Sequence, residues 1–349
     1  MQRRHFLKGT AACLAGTIFP TLPHAAPLSE GWYSGFKDDK GQFGVAHIAP
    51  DLRATALFYT PLRLHGISLN TSQNLIIAPA RRPDTALYVF EMAERTMQVV
   101  TATKGRHYYG HGVFDEVEPH YYTTENDYQN ERGVIGIYEF KHGFKRIGEW
   151  SSGGIGPHQI LQFEKHLIVA NGGILTYPEM GRAKLNIDSM APNLTYINTD
   201  TGQIEQKVRL PADLHKLSIR HIDVNAKGEV FIALQDQLFS RSDVPLVWKV
   251  SINGVASPLP APESGWNIFK GYIGSISAVG DTVCATSPRG NVAYIWQKNP
   301  LRIDQNDICG IAPTGTDSFL FSAGDGTLRD LTGRISKQAL HFDNHLSLI

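Results

Sequence analysis

A short phrase recurs along this chain: a histidine that opens an apolar, β-prone run. It reads Leu64-His65-Gly66-Ile67, Gly110-His111-Gly112-Val113, Pro157-His158-Gln159-Ile160, Arg220-His221-Ile222-Asp223 and, near the C-terminus, Asn344-His345-Leu346. The first four are followed by a second strand-like run and then a third, often aromatic one. Leu75-Ile76-Ile77-Ala78 and Ala86-Leu87-Tyr88-Val89-Phe90 follow His65, and Val230-Phe231-Ile232-Ala233 and Leu246-Val247-Trp248-Lys249-Val250 follow His221. Units of roughly 40–50 residues, each with several short strands, are the signature of a β-propeller.

The two ends of the chain complete the count. Gly31 to Lys37, Phe43 to Ile48 and Ala54 to Pro61 read as three strands, with turn chemistry at Asp38-Asp39-Lys40-Gly41 and Pro50-Asp51. Three strands need a fourth, and the run from His341 to Leu346 supplies it, which closes the ring with no free edge. Two further units lack the histidine, one from Tyr272 to Trp296 and one from Ile308 to Arg329. The expectation is an all-β, seven-bladed propeller in a single domain over residues 27–349. The third histidine unit carries an insertion from Ile174 to Pro192, and the fourth a hairpin from Phe239 to Pro245.

Charge and composition narrow the function classes. Formal net charge is zero, which removes the electrostatic case for nucleic acid or an anionic membrane surface. The segment Arg3-Arg4-His5-Phe6-Leu7-Lys8, a modestly apolar run to Phe19 and Ala25-Ala26 have the form of a twin-arginine export signal over residues 1–26. The alternatives are an ordinary secretory leader with a chance arginine pair, or a lipoprotein signal through Cys13. No other stretch approaches the length of a membrane span, so a periplasmic, monomeric protein is expected. Cys284 and Cys309 either pair or stand as two strand thiols.

The motifs in order carry a family resemblance. They are Gly105-Arg106-His107-Tyr108-Tyr109-Gly110-His111-Gly112 with Tyr122 to Asp127, Ser152-Gly153-Gly154-Ile155-Gly156-Pro157-His158 with Val169 to Gly173, Leu217 to His221, Thr286-Ser287-Pro288-Arg289-Gly290, and Asp343-Asn344-His345. Together they resemble the DUF1513 family over nearly the whole chain after the leader. The resemblance implies a propeller of the quinoprotein amine dehydrogenase β-chain-like type, related to YVTN and WD40 repeats. It also implies export, and a genomic setting beside imelysin-like proteins in iron-regulated clusters. Imelysin-like iron-uptake proteins are therefore the expected partners. The family carries no assigned activity.

The first strand of a propeller blade lines the central channel. His65, His111, His158, His221 and His345 are thus expected to gather near the axis, with Ser275 and a residue near Gly310 on the remaining blades. Second strands return antiparallel, which brings Arg81-Arg82, Glu125-Asn126, Asn171, Gln235 and Arg289 toward the same mouth. Arg106 and Arg220 flank two histidines. Three readings stay open. The imidazoles, with Glu125, hold a transition metal such as Fe, Cu or Zn. Alternatively Arg82, Arg106, Arg220 and Arg289, with the histidines partly protonated and Asn126 and Asn171 beside them, hold a carboxylate or siderophore-like anion. Otherwise each histidine simply bonds a neighbouring blade and spaces the ring. An enzymatic variant, a metal-assisted hydrolase or oxidoreductase, makes Glu125 the general base and Arg106 or Arg220 the oxyanion partner. His47, His107, His120, His142, His166 and His215 are expected in surface or packing roles, and Trp150, Trp248 and Trp296 in the core between blades. No nucleophile elbow, haem-attachment motif or zincin motif is present.

Overall fold

The computed structural model describes residues 27–141, 143–181, 183–238, 243–315 and 318–349. The leader, His142 and residues 239–242 of the expected Phe239–Pro245 hairpin lie outside the described residues. Among those described, seven antiparallel sheets make the seven blades of a propeller, six of consecutive strands and one joining the two ends of the chain. Helix is limited to four short 3-10 turns.

The apolar runs read continuously because each blade is covered on both faces. Along the strand Leu75–Pro79 every residue is buried. Ile76 and Ala78 feed the core shared with Tyr33 and Val45 of the closing blade. Leu75 and Ile77 point the other way, toward Tyr108, Tyr121 and Tyr138 of the His111 blade. One strand with a period of two thus serves two interfaces. The outermost strand Thr96–Thr101 faces water and holds no fully buried residue. Trp248 and Trp296 fill the largest inter-blade core, and Trp150 stacks on Tyr122 at 5.5 Å.

Closure joins the chain ends as expected. The N-terminal strand Trp32–Asp38 pairs with Leu340–Phe342 through Phe36 and Phe342, and with Ser347–Leu348 through Trp32 and Leu348. Both late strands are antiparallel to it. Between them the chain leaves the ladder, and His345 sits in that gap.

The same interruption occurs at every histidine. Pairing in the strand Arg106–Phe114 shifts between Tyr108 and Gly112, with His111 inside the irregular stretch. It shifts between Pro157 and Ile160 around His158, and between Ile219 and His221. His65 lies between an isolated bridge at Leu64 and the start of the ladder at Ser68. The histidine-free strand Ser275–Val279 pairs without a shift. A bulge re-aims a side chain, and here it turns five imidazoles toward the axis.

Cys284 and Cys309 are both free thiols. Cys309 lies beside a bulge of its own, but its Sγ is turned sideways, 3.3 Å from the Asp343 carbonyl of the closing blade.

Candidate functional site at the propeller axis

The five histidines meet. His65 lies 4.7 Å, ring centre to ring centre, from both His111 and His345, and 5.3 Å from His158. His221 lies 5.0 Å from His158 and 4.8 Å from His345. Two glycines permit this density. A Cβ on Gly66 would stand 2.7 Å from His111 Nδ1, and one on Gly110 would stand 2.8 Å from the His65 ring. Gly110 also has a φ of +96°, a conformation costly for other residues. The amide of Gly66 donates to the Gly110 carbonyl, and the Thr124 hydroxyl reaches the carbonyls of both His111 and His158.

The imidazoles form a layer between two cavities. His65, His158 and His221 line one of about 410 Å³, and His111 and His345 line one of about 360 Å³ on the other side. Two overlapping trios, His65/His111/His158 and His111/His221/His345, keep their ring nitrogens within 4.8 Å of one another.

Burial dominates their protonation. His65 is pulled down to about 4 by burial first, with Asp343 opposing and Arg81 and Arg63 assisting. The other four are held well below the ordinary histidine value, first by burial and then by one another and by nearby guanidinia. Burial therefore favours the neutral ring throughout the layer, the form in which imidazole ligates a metal.

Orientation separates the three readings. His65 Nδ1 sits 3.5 Å from Asp343 Oδ1, and Arg63 grips the other carboxylate oxygen. His221 Nδ1 faces Gln159 Oε1 at 3.1 Å. Each contact leaves Nε2 of that ring for a ligand, as in carboxylate- or carbonyl-oriented metal histidines. Nε2 of His65 and Nε2 of His158 are 3.5 Å apart; two ligands on a tetrahedral ion, each about 2.1 Å from it, stand about 3.4 Å apart. His111 Nε2, His158 Nδ1 and His345 Nε2 have no hydrogen-bond partner in the protein. A purely spacing histidine would be bonded to its neighbour blade, and a buried unpartnered polar group costs about 1–3 kcal/mol. The residues present fit a metal ion.

The larger cavity has a different character. Arg81, Arg82, Lys184, Arg220 and Arg289 line it, against Asp307 as the lining carboxylate among the described residues. Arg220 is buried, and its Nε and Nη1 have no partner in the protein. Burial, then Arg82, pulls its guanidinium down to about 9, with Tyr272 and Tyr109 opposing. Arg289 lies over the Tyr272 ring, 4.4 Å from its centre.

Four expected site residues are elsewhere. Glu125 was expected beside the histidines as a general base, but it is fully buried between blades. It accepts from Thr123 at 2.9 Å, Tyr138 at 3.1 Å and Arg146 at 3.0 Å, on the side where Tyr138 packs against the preceding blade. Arg106 was expected as an anion or oxyanion partner; it binds Glu149 at 2.6 Å and Asp127 at 3.3 Å instead. Asn126 donates to the Thr176 carbonyl and to His107, under the insertion that covers this sector. Asn171 is spent on Ser152 at the edge of the preceding blade and on Asn193 and Thr195 of its own. Strand-end position was read correctly for these residues, but side-chain direction differs. The cavity does receive Arg82, Arg220 and Arg289.

Sequence reasoning missed Asp343 and Gln159 as orienting groups, although each lies within two residues of a site histidine. It also missed Tyr109, Tyr272 and Lys184. Lys184 comes from the insertion, which has no periodicity to read.

The model of a family described as "Protein of unknown function (DUF1513)" matches residues 58–349. The chain belongs to the DUF1513 family. No curated protein matches its sequence. Among solved structures, this DUF1513 chain is similar to a catalytically inactive variant of virginiamycin B lyase from Staphylococcus aureus, solved with quinupristin. The TM-score is 0.55 at 12% identity, covering 84% of this chain and 92% of that one. At that identity the likeness speaks for the propeller fold alone.

Proposed function

We propose that this DUF1513 protein binds a transition-metal ion in the histidine layer across its central channel. The observation that carries the reading is a set of five imidazoles in mutual contact, four of which (His65, His111, His158 and His345) have a buried ring nitrogen with no hydrogen-bond partner. Imidazole suits Fe, Cu and Zn. The two trios share His111, so losing His111 damages both sets. Within the same proposal the chain leaves the cytoplasm through its Arg3-Arg4 leader and works in the periplasm as a monomer. Its implied imelysin-like neighbours make iron the first metal to test.

The experiment is metal analysis of the purified protein, as isolated and after incubation with Fe, Cu and Zn. A His111→Ala/His158→Ala double variant is run in parallel and its folding checked by circular dichroism. About one equivalent in the wild type, lost in the folded variant, is expected. No metal in either sample after incubation overturns the reading.

A further inference from the structure

We infer that the cavity on the arginine side of the histidine layer is a binding site for a small polycarboxylate anion that also reaches the ion held by the layer. The anion half rests on the cavity alone; the contact with the ion rests on the metal reading above.

The first argument is charge. Four guanidinia and one ammonium line the space against a single lining carboxylate, Asp307, among the described residues. Arg220 is buried, Arg81 and Arg82 are half-buried, and Lys184 and Arg289 reach solvent; cations gathered around one space repel, and an anion among them lowers that energy. Burial and the neighbouring arginines hold Lys184 below the ordinary lysine value, and burial and Arg81 do the same to Arg82.

The second argument is an unused donor. Arg220 is buried at the base of the cavity, next in sequence to His221, with two guanidinium nitrogens unpartnered. A guanidinium presents donors in a rigid plane matched to carboxylate and phosphate oxygens. Two buried donors of one guanidinium without a partner carry a desolvation cost that a ligand's oxygens would remove.

The third argument is size and position. A volume of about 410 Å³ falls within the range of small-molecule sites and far exceeds a bare phosphate. An anion with several carboxylates spans such a space, with one oxygen on Arg220 and others on Arg82 and its neighbours. His65, His158 and His221 form part of the same wall. A ligand seated there touches the face of the imidazole layer and can give an oxygen to its ion.

Isothermal titration with citrate and with inorganic phosphate tests the proposal, on metal-free protein and on protein loaded with Zn. Citrate is expected to bind the metal-free protein, and to bind the loaded protein more tightly. Arg220→Gln and Arg82→Gln should each weaken citrate by about tenfold, the scale of a lost charge-assisted contact, with Zn content unchanged. Arg82 is distant in sequence from every histidine of the layer, so it decides the matter if Arg220→Gln fails to fold. No citrate binding, phosphate binding tighter than citrate, or wild-type affinity in both variants overturns the inference. Zn uptake without citrate binding defeats the anion site and leaves the metal reading standing. Citrate binding without uptake of any metal does the reverse.

Discussion

Two groups of arginines in this molecule follow opposite rules. Between the His65 and His111 blades, Arg106, Arg132 and Arg146 meet Glu125, Asp127 and Glu149 in equal number. Arg132 bonds Asp127 at 2.9 Å and Glu149 at 2.8 Å, and Arg146 bonds both Glu125 and Glu149. At the axial cavity, five cations face one carboxylate of the lining, and Arg220 is left with bare donors. Matched burial of charge serves architecture, because each ion already has its counter-ion. At the cavity only Arg220 is fully buried, while Lys184 and Arg289 reach solvent, and the proposed anion would supply the counter-charge there. A glutamate amid arginines in a sequence is thus ambiguous until the balance of its neighbours is known.

The largest effect should come from breaking the matched group. Glu125→Gln leaves Arg146 and Arg106 beside a neutral amide, and removing one partner from a buried ion pair costs about 3–5 kcal/mol. Urea unfolding should show a loss on that scale, while metal content stays at the wild-type level in whatever fraction folds. Lost metal binding with unchanged stability would return Glu125 to the site.

Lowering the pH adds charge near the unmatched group. His107 accepts a hydrogen bond from Asn126 on Nε2 and faces the Tyr108 carbonyl through Nδ1, an arrangement for the neutral ring. Burial first, with Arg82 assisting, pulls it down to about 4. An unfolded histidine takes its proton near 6.5, so between these values the unfolded chain binds more protons. The His107 contribution is fully present above pH 6.5 and declines toward pH 4, by up to about 1.4 kcal/mol per pH unit. Thermal midpoints measured from pH 7 down to pH 4.5 should fall, and a flat profile would refute the neutral assignment.

The smallest effect is expected on the stability of Arg220→Gln. Removing a buried charge without a counter-ion should leave stability within about 1 kcal/mol of wild type, or raise it. A loss as large as that of Glu125→Gln would mean that Arg220 is structural, and the contrast between the two groups would collapse.

Much of the ring was legible in the sequence. Strand runs apolar at every position announce blades covered on both faces, and Leu75–Pro79 behaves so. The closing pair at both termini followed from a strand count of three. The convergence of the histidines was legible as a repeat, but their contact distance was not. It depends on local breaks in pairing and on Gly66 and Gly110 giving way to neighbouring rings. Glu125, Asn126 and Asn171 show the remaining limit. A position at a strand end says which mouth a residue is near, whereas one step of alternation decides whether it faces the channel or the adjacent blade. Lys184 was invisible because its segment obeys no period.

The imidazole layer is a partition one side chain thick. His65, His158 and His221 floor the compartment with Arg220, and His111 and His345 floor the one with Ser68, Gln159 and Ser347. The two floors belong to one cluster, because His65 lies 4.7 Å from both His111 and His345. A solute arriving at either end therefore meets its own rings, so this wheel has two doors onto opposite faces of one wall.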